Sequence, residues 1–398
     1  MWSILYAPNC SCLDTEKTKL LKKMLLVRKL PKCFAGLIML SLFLILLILS
    51  TQTSSFKTST TIHTTLEYVK NTIQSKILET KLNIHRKLPL IPDEDQIHIS
   101  FCNASLAFSQ AKPFQQGLPI LYIITPTYTR REQVVEMVRM SHTLLHLNNI
   151  VWIIAEDSQK CSPLVEKMLQ RFKIPYVHLV SPMPKMYAKE KYKPRGVASR
   201  RAGVDWVLKN HPKDQDGVVY FADDDNTYDL SLFDEIRKTK KVSVFPVGFV
   251  GSKGSPGITS PIVLNGKVTG FSDDWFASRM FPVDMAGFAI NVNFLASRTQ
   301  ASMPFWAGYE EDVFIQTLDI KLDELEPLAN ECTEILVWHT KTVSEKTPKV
   351  KITKHLDSNL KQLVDDAVFK GISVYDAKSK NELKYCFDGN RCEKYSNL

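Results

Sequence analysis

The chain has 398 residues and 45.4 kDa, is 44% hydrophobic and 23% charged, and carries a formal net charge of +9. That composition excludes a disordered or low-complexity polymer and allows one large domain or two modest ones. The positive surplus suits nucleic acid, a membrane surface or an anionic small molecule, and does not by itself choose among them.

The distribution of charge is more selective. Lys17, Lys19, Lys22, Lys23, Arg28, Lys29 and Lys32 all precede one uncharged apolar run, residues 33–50. Roughly 20 apolar residues cross a bilayer core. The run therefore reads as a signal-anchor, with residues 1–32 as a cytosolic basic tail and the remainder across the membrane by the positive-inside rule. A cleaved signal peptide is the alternative, but the leader is long and no Ala-x-Ala-like exit follows. Residues 51–117 are polar and rich in Thr, Ser and Lys, and read as a lumenal stem. Asn103-Ala104-Ser105 is an N-glycosylation acceptor on the lumenal side, whereas Asn9-Cys10-Ser11 falls on the cytosolic side. Cys102, Cys161, Cys332, Cys386 and Cys392 follow the span. An odd set leaves one thiol free or bridging two chains, and Cys386 with Cys392 could close a small loop.

Regular elements begin at Leu118. An apolar run ends in Pro126-Thr127-Tyr128, and an amphipathic helix then extends to Leu147. A second buried strand, Ile150 onward, ends in Glu156-Asp157. A helix over Pro163–Phe172 and a strand at Pro175–Val180 follow, then a basic loop and a helix over Val197–Lys209. The strand Gly217–Ala222 runs into Asp223-Asp224-Asp225. Strands alternating with helices predict a parallel sheet covered on both faces, with ligands at the carboxyl ends of the strands. The second half predicts shorter strands of a mixed sheet, at 242–251, 261–271, 287–296 and 334–340, and a helix starting near Tyr309. Residues 343–398 read as an appended, partly ordered tail.

Three adjacent carboxylates repel one another and need a compensating charge or open water. Oxygen ligands of this kind suit a hard divalent cation completed by substrate phosphates and water. Without that strand context the same acids are an acidic turn, with Asn226 and Asp229 capping a helix near Leu230.

The motifs YFADDDNTY, PTYTR, KPRGVASR, FPVDMAGFA and LVWHTKT occur in one order over residues 118–342, and together they resemble the β-1,3-glucuronosyltransferases of glycosyltransferase family 43. The resemblance implies an α/β fold of the GT-A type, a Rossmann-like nucleotide-binding half plus a mixed-sheet acceptor half, on a single-pass type II membrane anchor in the Golgi. It implies inverting transfer of glucuronic acid from UDP-glucuronic acid to the 3-hydroxyl of a terminal galactose, with Mn²⁺ as cofactor. Members of that family are often dimers, and the residues themselves leave the oligomer open. Carried onto this chain, Pro126, Thr127 and Tyr128 match the uracil-binding turn, with Tyr128 packing on the base. Asp157 matches a uracil-binding carboxylate. Arg195 and Arg200 match arginines for the nucleotide and the glucuronate carboxylate, a pairing that suits a planar guanidinium. Asp223 and Asp224 match residues around the ribose and the sugar, and Asp225 matches the metal ligand. His339 matches a histidine beside the diphosphate. Lys341 stands where the family commonly has Arg. Arg279 and Asp284 match acceptor contacts, and Glu311 the general base. Successive helical residues are turned by about 100°, so one of Glu310 and Glu311 is expected to face the acceptor.

Two departures bear on the substrate. The loop Ser252–Pro261 holds no acid where the family has an acceptor-binding one, and Asn330–Thr333 interrupts a family glycosylation signal. The acceptor, a proteoglycan linker trisaccharide or an N-acetyllactosamine end, is left open. Rival readings are a transferase for another sugar such as xylose, a catalytically idle Golgi glycan-binding protein, and a metal-dependent nuclease. The last needs basic and aromatic residues interleaved along a groove. Here the basic surplus lies in the leader and tail, so no nucleic-acid partner is expected.

Overall fold

The computed structural model describes residues 98–106, 113–250, 257–275, 278–340, 342, 346–351, 359–379, 384–387 and 391–394. The apolar run at 33–50, the basic leader and Lys341 lie outside these residues. Among the described residues no helix is long and apolar enough to cross a membrane.

The chain forms β1 (Ser100–Ser105), β2 (Ile120–Thr127), α1 (Gln133–Leu144), β3 (Ile150–Glu156), α2 (Pro163–Phe172), β4 (Tyr176–Val180), α3 (Val197–Asn210) and β5 (Gly217–Phe221). β4, β3, β2 and β5 lie side by side and parallel. Each is buried along almost its whole length, which is why these strands read as continuous apolar runs rather than alternating ones. α3 packs across β2, β3 and β4. Apolar cores fill both faces of the sheet. Side chains such as Leu121, Phe221 and Phe314 are fully or almost fully buried, and each contributes roughly 1.5–3 kcal/mol by leaving water.

The end of the segment read as stem is not detached. β1 is the edge strand of the main sheet, antiparallel to β4. Cys102 is disulfide-bonded to Cys161, across 59 residues of sequence. Asn103 Nδ2 donates to Glu166 Oε1 at 3.0 Å. Cys332 is the free thiol among the described residues, and burial pushes it up to about 12.

The second half continues with β6 (Thr227–Tyr228), α4 (Leu230–Ile236), β7 (Val242–Val244), β8 (Val247–Phe249), β9 (Ile258–Leu264), β10 (Lys267–Ser272), β11 (Phe288–Asn291), α5 (Glu310–Thr317), β12 (Glu326–Pro327) and β13 (Val337–His339). β11, β7 and β12 extend the main sheet, with β11 antiparallel to both its neighbours. A second sheet runs β10-β9-β8-β13-β6. The fold is mixed α/β.

Three expected strands divide. Residues 242–251 split at Phe245-Pro246, where proline has no N–H to donate, into β7 of the main sheet and β8 of the second. Residues 261–271 belong to the β9–β10 hairpin, because Asn265 and Gly266 take φ of 52° and 71° and reverse the chain. The strand after Gly287 stops at Asn291, whose side chain accepts from the backbone N–H of Asn293 and Phe294 and starts a short helix instead. Of the two capping candidates Asp229 caps α4, accepting from Ser231, while Asn226 Oδ1 accepts instead from the N–H of Thr340. The C-terminal segment contains a helix, Asn359–Phe369, a parallel pair Lys349–Val350 with Val374–Tyr375, and a hairpin in which Cys386 and Cys392 stand opposite each other.

Candidate active site

The carboxyl ends of β2, β3 and β5 open onto one cavity of about 610 Å³. Pro126, Thr127, Tyr128, Asp157, Arg195, Arg200, Asp223, Asp224 and Asp225 all line it, so nine of the sequence-derived candidates converge on one space. Tyr128 is 45% exposed and presents its ring there. Asp157 is tied down from both sides: its N–H donates to Thr127 O, and its Oδ1 accepts from Met183 N.

The three aspartates are compensated unequally. Asp223 pairs with Arg200, which is itself only 6% exposed. Asp224 pairs with Arg130 at 2.6 Å and accepts from Thr127 Oγ1 at 2.7 Å. Asp225 lines the cavity with no hydrogen bond or ion pair on its carboxylate among the described residues. Burial raises its pKa, and the neighbouring Asp223 and Asp224 raise it further. An acid held in that state stabilises a cation brought beside it. No group of three His, Cys, Asp or Glu side chains gathers for a metal among the described residues. A divalent ion here would draw its remaining ligands from a bound phosphate and water. The fit is that of Asp225 as one oxygen ligand.

Arg200 reaches the cavity because α3 starts on Gly196, whose φ is 72°. A Cβ there would lie 2.5 Å from Arg200 Nη1, so this backbone and this arginine require glycine. From the far end of the chain, Thr340 donates its hydroxyl to the carbonyl of Asp225 and its N–H to Asn226 Oδ1. These bonds bring β13 against the aspartates. His339, just before, gives Nδ1 to Asp284 Oδ2 at 2.9 Å. That hydrogen bond raises His339 to about 9, against the opposing effect of burial.

A second cavity of about 320 Å³ is lined by Asp273, Asp274, Trp275, Arg279, Asp284, Glu310 and Glu311, with Phe249, Ile258, Val283 and Gly308. The expectation that only one of Glu310 and Glu311 faces it is corrected: both line it. They open α5 at its first turn, where side chains project past the helix end as well as around it. Environment separates them. Burial pushes Glu311 up to about 8, and the charges of Glu310 and Asp284 add to the rise. Burial also raises Glu310, where backbone N–H groups and Arg200 oppose it. The third acid, Asp312, is fully buried and accepts from the N–H groups of Met280 and Phe281, so it anchors α5 to the loop carrying Arg279.

Sequence reading missed Arg130, Asp273, Asp274 and Trp275. Arg279 donates to Asp273 at 2.9 Å, and its guanidinium lies 4.6 Å from the Trp275 ring centroid. Trp275 is half exposed and lies against Gly308, where a Cβ would come within 2.4 Å of the indole. Only the aromatic residue standing four positions before Arg279 hinted at this wall.

The family model described as Glycosyltransferase family 43 matches residues 140–343. The chain is 44% identical over 302 residues to "Galactosylgalactosylxylosylprotein 3-beta-glucuronosyltransferase S" of Drosophila melanogaster, covering 73% of this chain and 72% of that one. The chain belongs to glycosyltransferase family 43. A second relative, "Galactosylgalactosylxylosylprotein 3-beta-glucuronosyltransferase 2" of Canis lupus familiaris, is 42% identical over 248 residues, 60% of this chain and 73% of that one. The Homo sapiens protein with the same name but number 1 is 38% identical over 260 residues, 62% and 76% of the two chains. Among solved structures, S. aureus TarS 1-349 in complex with UDP is similar over 56% of this chain and 61% of that one, with a TM-score of 0.39 and 13% identity.

Proposed function

We propose that this family 43 glycosyltransferase moves glucuronic acid from UDP-glucuronic acid to the 3-hydroxyl of a terminal galactose, with inversion, on a GT-A fold. The observation that carries this reading is the pair of adjoining cavities. One gathers Tyr128, Asp157, Arg195 and Arg200 at the strand ends, and the other holds an acid of raised pKa, Glu311. Relatives named for 3-beta-glucuronosyl transfer to a galactosylgalactosylxylosyl protein support the sugar and the acceptor class.

In this reading Tyr128 stacks on uracil and Asp157 accepts from it. Arg195 and Arg200 bind the nucleotide and the glucuronate carboxylate, whose two oxygens fit a guanidinium fork. Asp225 would hold Mn²⁺, which when bound supplies positive charge to the departing UDP. Glu311 removes the proton from the galactose 3-hydroxyl as its oxygen attacks the anomeric carbon on the face opposite UDP. Asp284 lines the second cavity and binds His339, whose neighbour Thr340 bonds to Asp225 of the first. The anchor at 33–50, a Golgi lumenal catalytic domain, glycosylation at Asn103 and a homodimer belong to the same proposal. The Cys102–Cys161 disulfide supports an oxidising compartment.

The test is transfer by the purified lumenal part, with Mn²⁺, from UDP-glucuronic acid and separately from UDP-xylose to a panel of galactose-ended glycans. Glucuronic acid should appear on galactose. Absence of transfer to every member, or equal use of UDP-xylose, would overturn the reading.

A further inference from the structure

We infer that Arg130 is a positioning residue of the donor cavity, holding Asp224 and Tyr128 as one unit at the nucleoside end of the donor. The inference rests on reading that cavity as a nucleotide-sugar site. Arg130 is 94 residues from Asp224 in sequence, and its Nη2 lies 2.6 Å from Asp224 Oδ1. The other carboxylate oxygen accepts from Thr127 Oγ1 at 2.7 Å, and that hydroxyl accepts in turn from Gln133 Nε2 at 3.1 Å. Asp224 is therefore held at both oxygens. The Arg130 guanidinium also lies 4.8 Å from the centroid of the Tyr128 ring, close enough for a cation–π contact. The Arg130 and Asp224 side chains are 9% and 6% exposed, unlike a mobile surface pair.

Three adjacent carboxylates around one cation could otherwise share it. A carboxylate bridged at both oxygens keeps a lone pair on each, so Asp224 can still accept from a nucleotide hydroxyl. It is not free to swing toward a cation beside Asp225. Arg130 thus divides the work of the cluster: Asp224 faces the nucleoside, and Asp225 is left for the metal. Lysine could supply the charge, but not the planar group that lies over Tyr128 while bonding Asp224.

Binding of UMP and UDP to full-length wild type, Arg130→Lys, Arg130→Met, Asp224→Asn and the Arg130→Met/Asp224→Asn double variant tests this, measured by calorimetry in chelator and again with Mn²⁺. Arg130→Met should weaken UMP and UDP by the same factor, about tenfold or more, in chelator as well as with metal. Arg130→Lys should recover part of the loss. In the Asp224→Asn background the same Arg130 substitution should cost less than about threefold, because its partner charge is gone. The double variant buries no unpaired charge, so it keeps the cycle measurable if Arg130→Met alone folds poorly. Additive losses in the cycle, or a loss confined to UDP, would overturn the inference. Wild type that binds neither nucleotide would overturn the donor-site reading itself.

Discussion

The two cavities handle negative charge in opposite ways. In the first cavity cations meet two of the three adjacent aspartates: Arg130 and Arg200 each take one, Lys193 and Arg195 stand on the wall, and Asp225 has no ion pair among the described residues. In the second cavity five carboxylates, Asp273, Asp274, Asp284, Glu310 and Glu311, face one described lining cation, Arg279, already paired with Asp273. The first arrangement suits a polyanionic ligand with a metal ion. The second keeps negative charge crowded around Glu311, which makes it a stronger base at the expense of its ionisation near neutral pH.

The comparison breaks most visibly if the two cavities are not separate machines. On the proposed assignment, Glu311→Gln should lower turnover by about 10²–10⁴ while affinity for UDP-glucuronic acid holds, because it removes only the general base. Asp225→Asn should do the reverse: UDP affinity should cease to respond to Mn²⁺, while acceptor binding holds. Isothermal titration with each ligand separates the two, and a Glu311→Gln protein that no longer binds the donor would contradict the division.

A smaller effect concerns the acceptor. A galactoside bearing sulfate near the reacting hydroxyl brings an anion against the carboxylates of the second cavity. Its kcat/KM should be roughly tenfold or more below that of the neutral compound, and the gap should narrow as salt is added. Equal use of both compounds would show that the acidic wall is compensated when substrate binds.

The smallest effect is a displacement along the pH axis. As the proposed base, Glu311 must be ionised to accept a proton, and burial with Glu310 and Asp284 holds it at about 8. The acceptor kcat/KM should therefore rise with pH through that value and be lost below it. Glu310→Gln removes the largest neighbouring charge and should shift this limb to lower pH, with turnover at the plateau changed by less than about threefold. A shift to higher pH, or a collapse of the plateau, would reassign the base to Glu310.

The parallel sheet was legible because strands buried on both faces need uninterrupted apolar residues, and β2, β3, β4 and β5 have them. Motif order carried the donor residues for a related reason: Tyr128, Asp157 and Asp223–Asp225 follow strand ends, which parallel strands bring together, while Arg195 and Arg200 reach them from the start of α3. Where local chemistry competed with pattern the reading slipped. Asn265-Gly266 turned one expected strand into a hairpin, and Asn291 capped a helix inside another.

What sequence alone determined, then, is the alternation of elements, their capping residues and the clustering of acids after β5, all set by neighbours within a few residues. The tertiary structure alone decided which of the three acids has no ion pair among the described residues. Asp223, Asp224 and Asp225 are chemically identical in the chain, and they differ only because Arg200, Arg130 and Thr127 arrive from other elements to bind the first two. The same holds for Glu310 and Glu311, which one step along a helix could not separate. Their difference comes from burial and from Asp284, brought up across the chain to Glu311, against the backbone N–H groups that favour the charge of Glu310. Charge acts through space over several ångströms, so the character of an ionisable group is a property of the fold rather than of its motif.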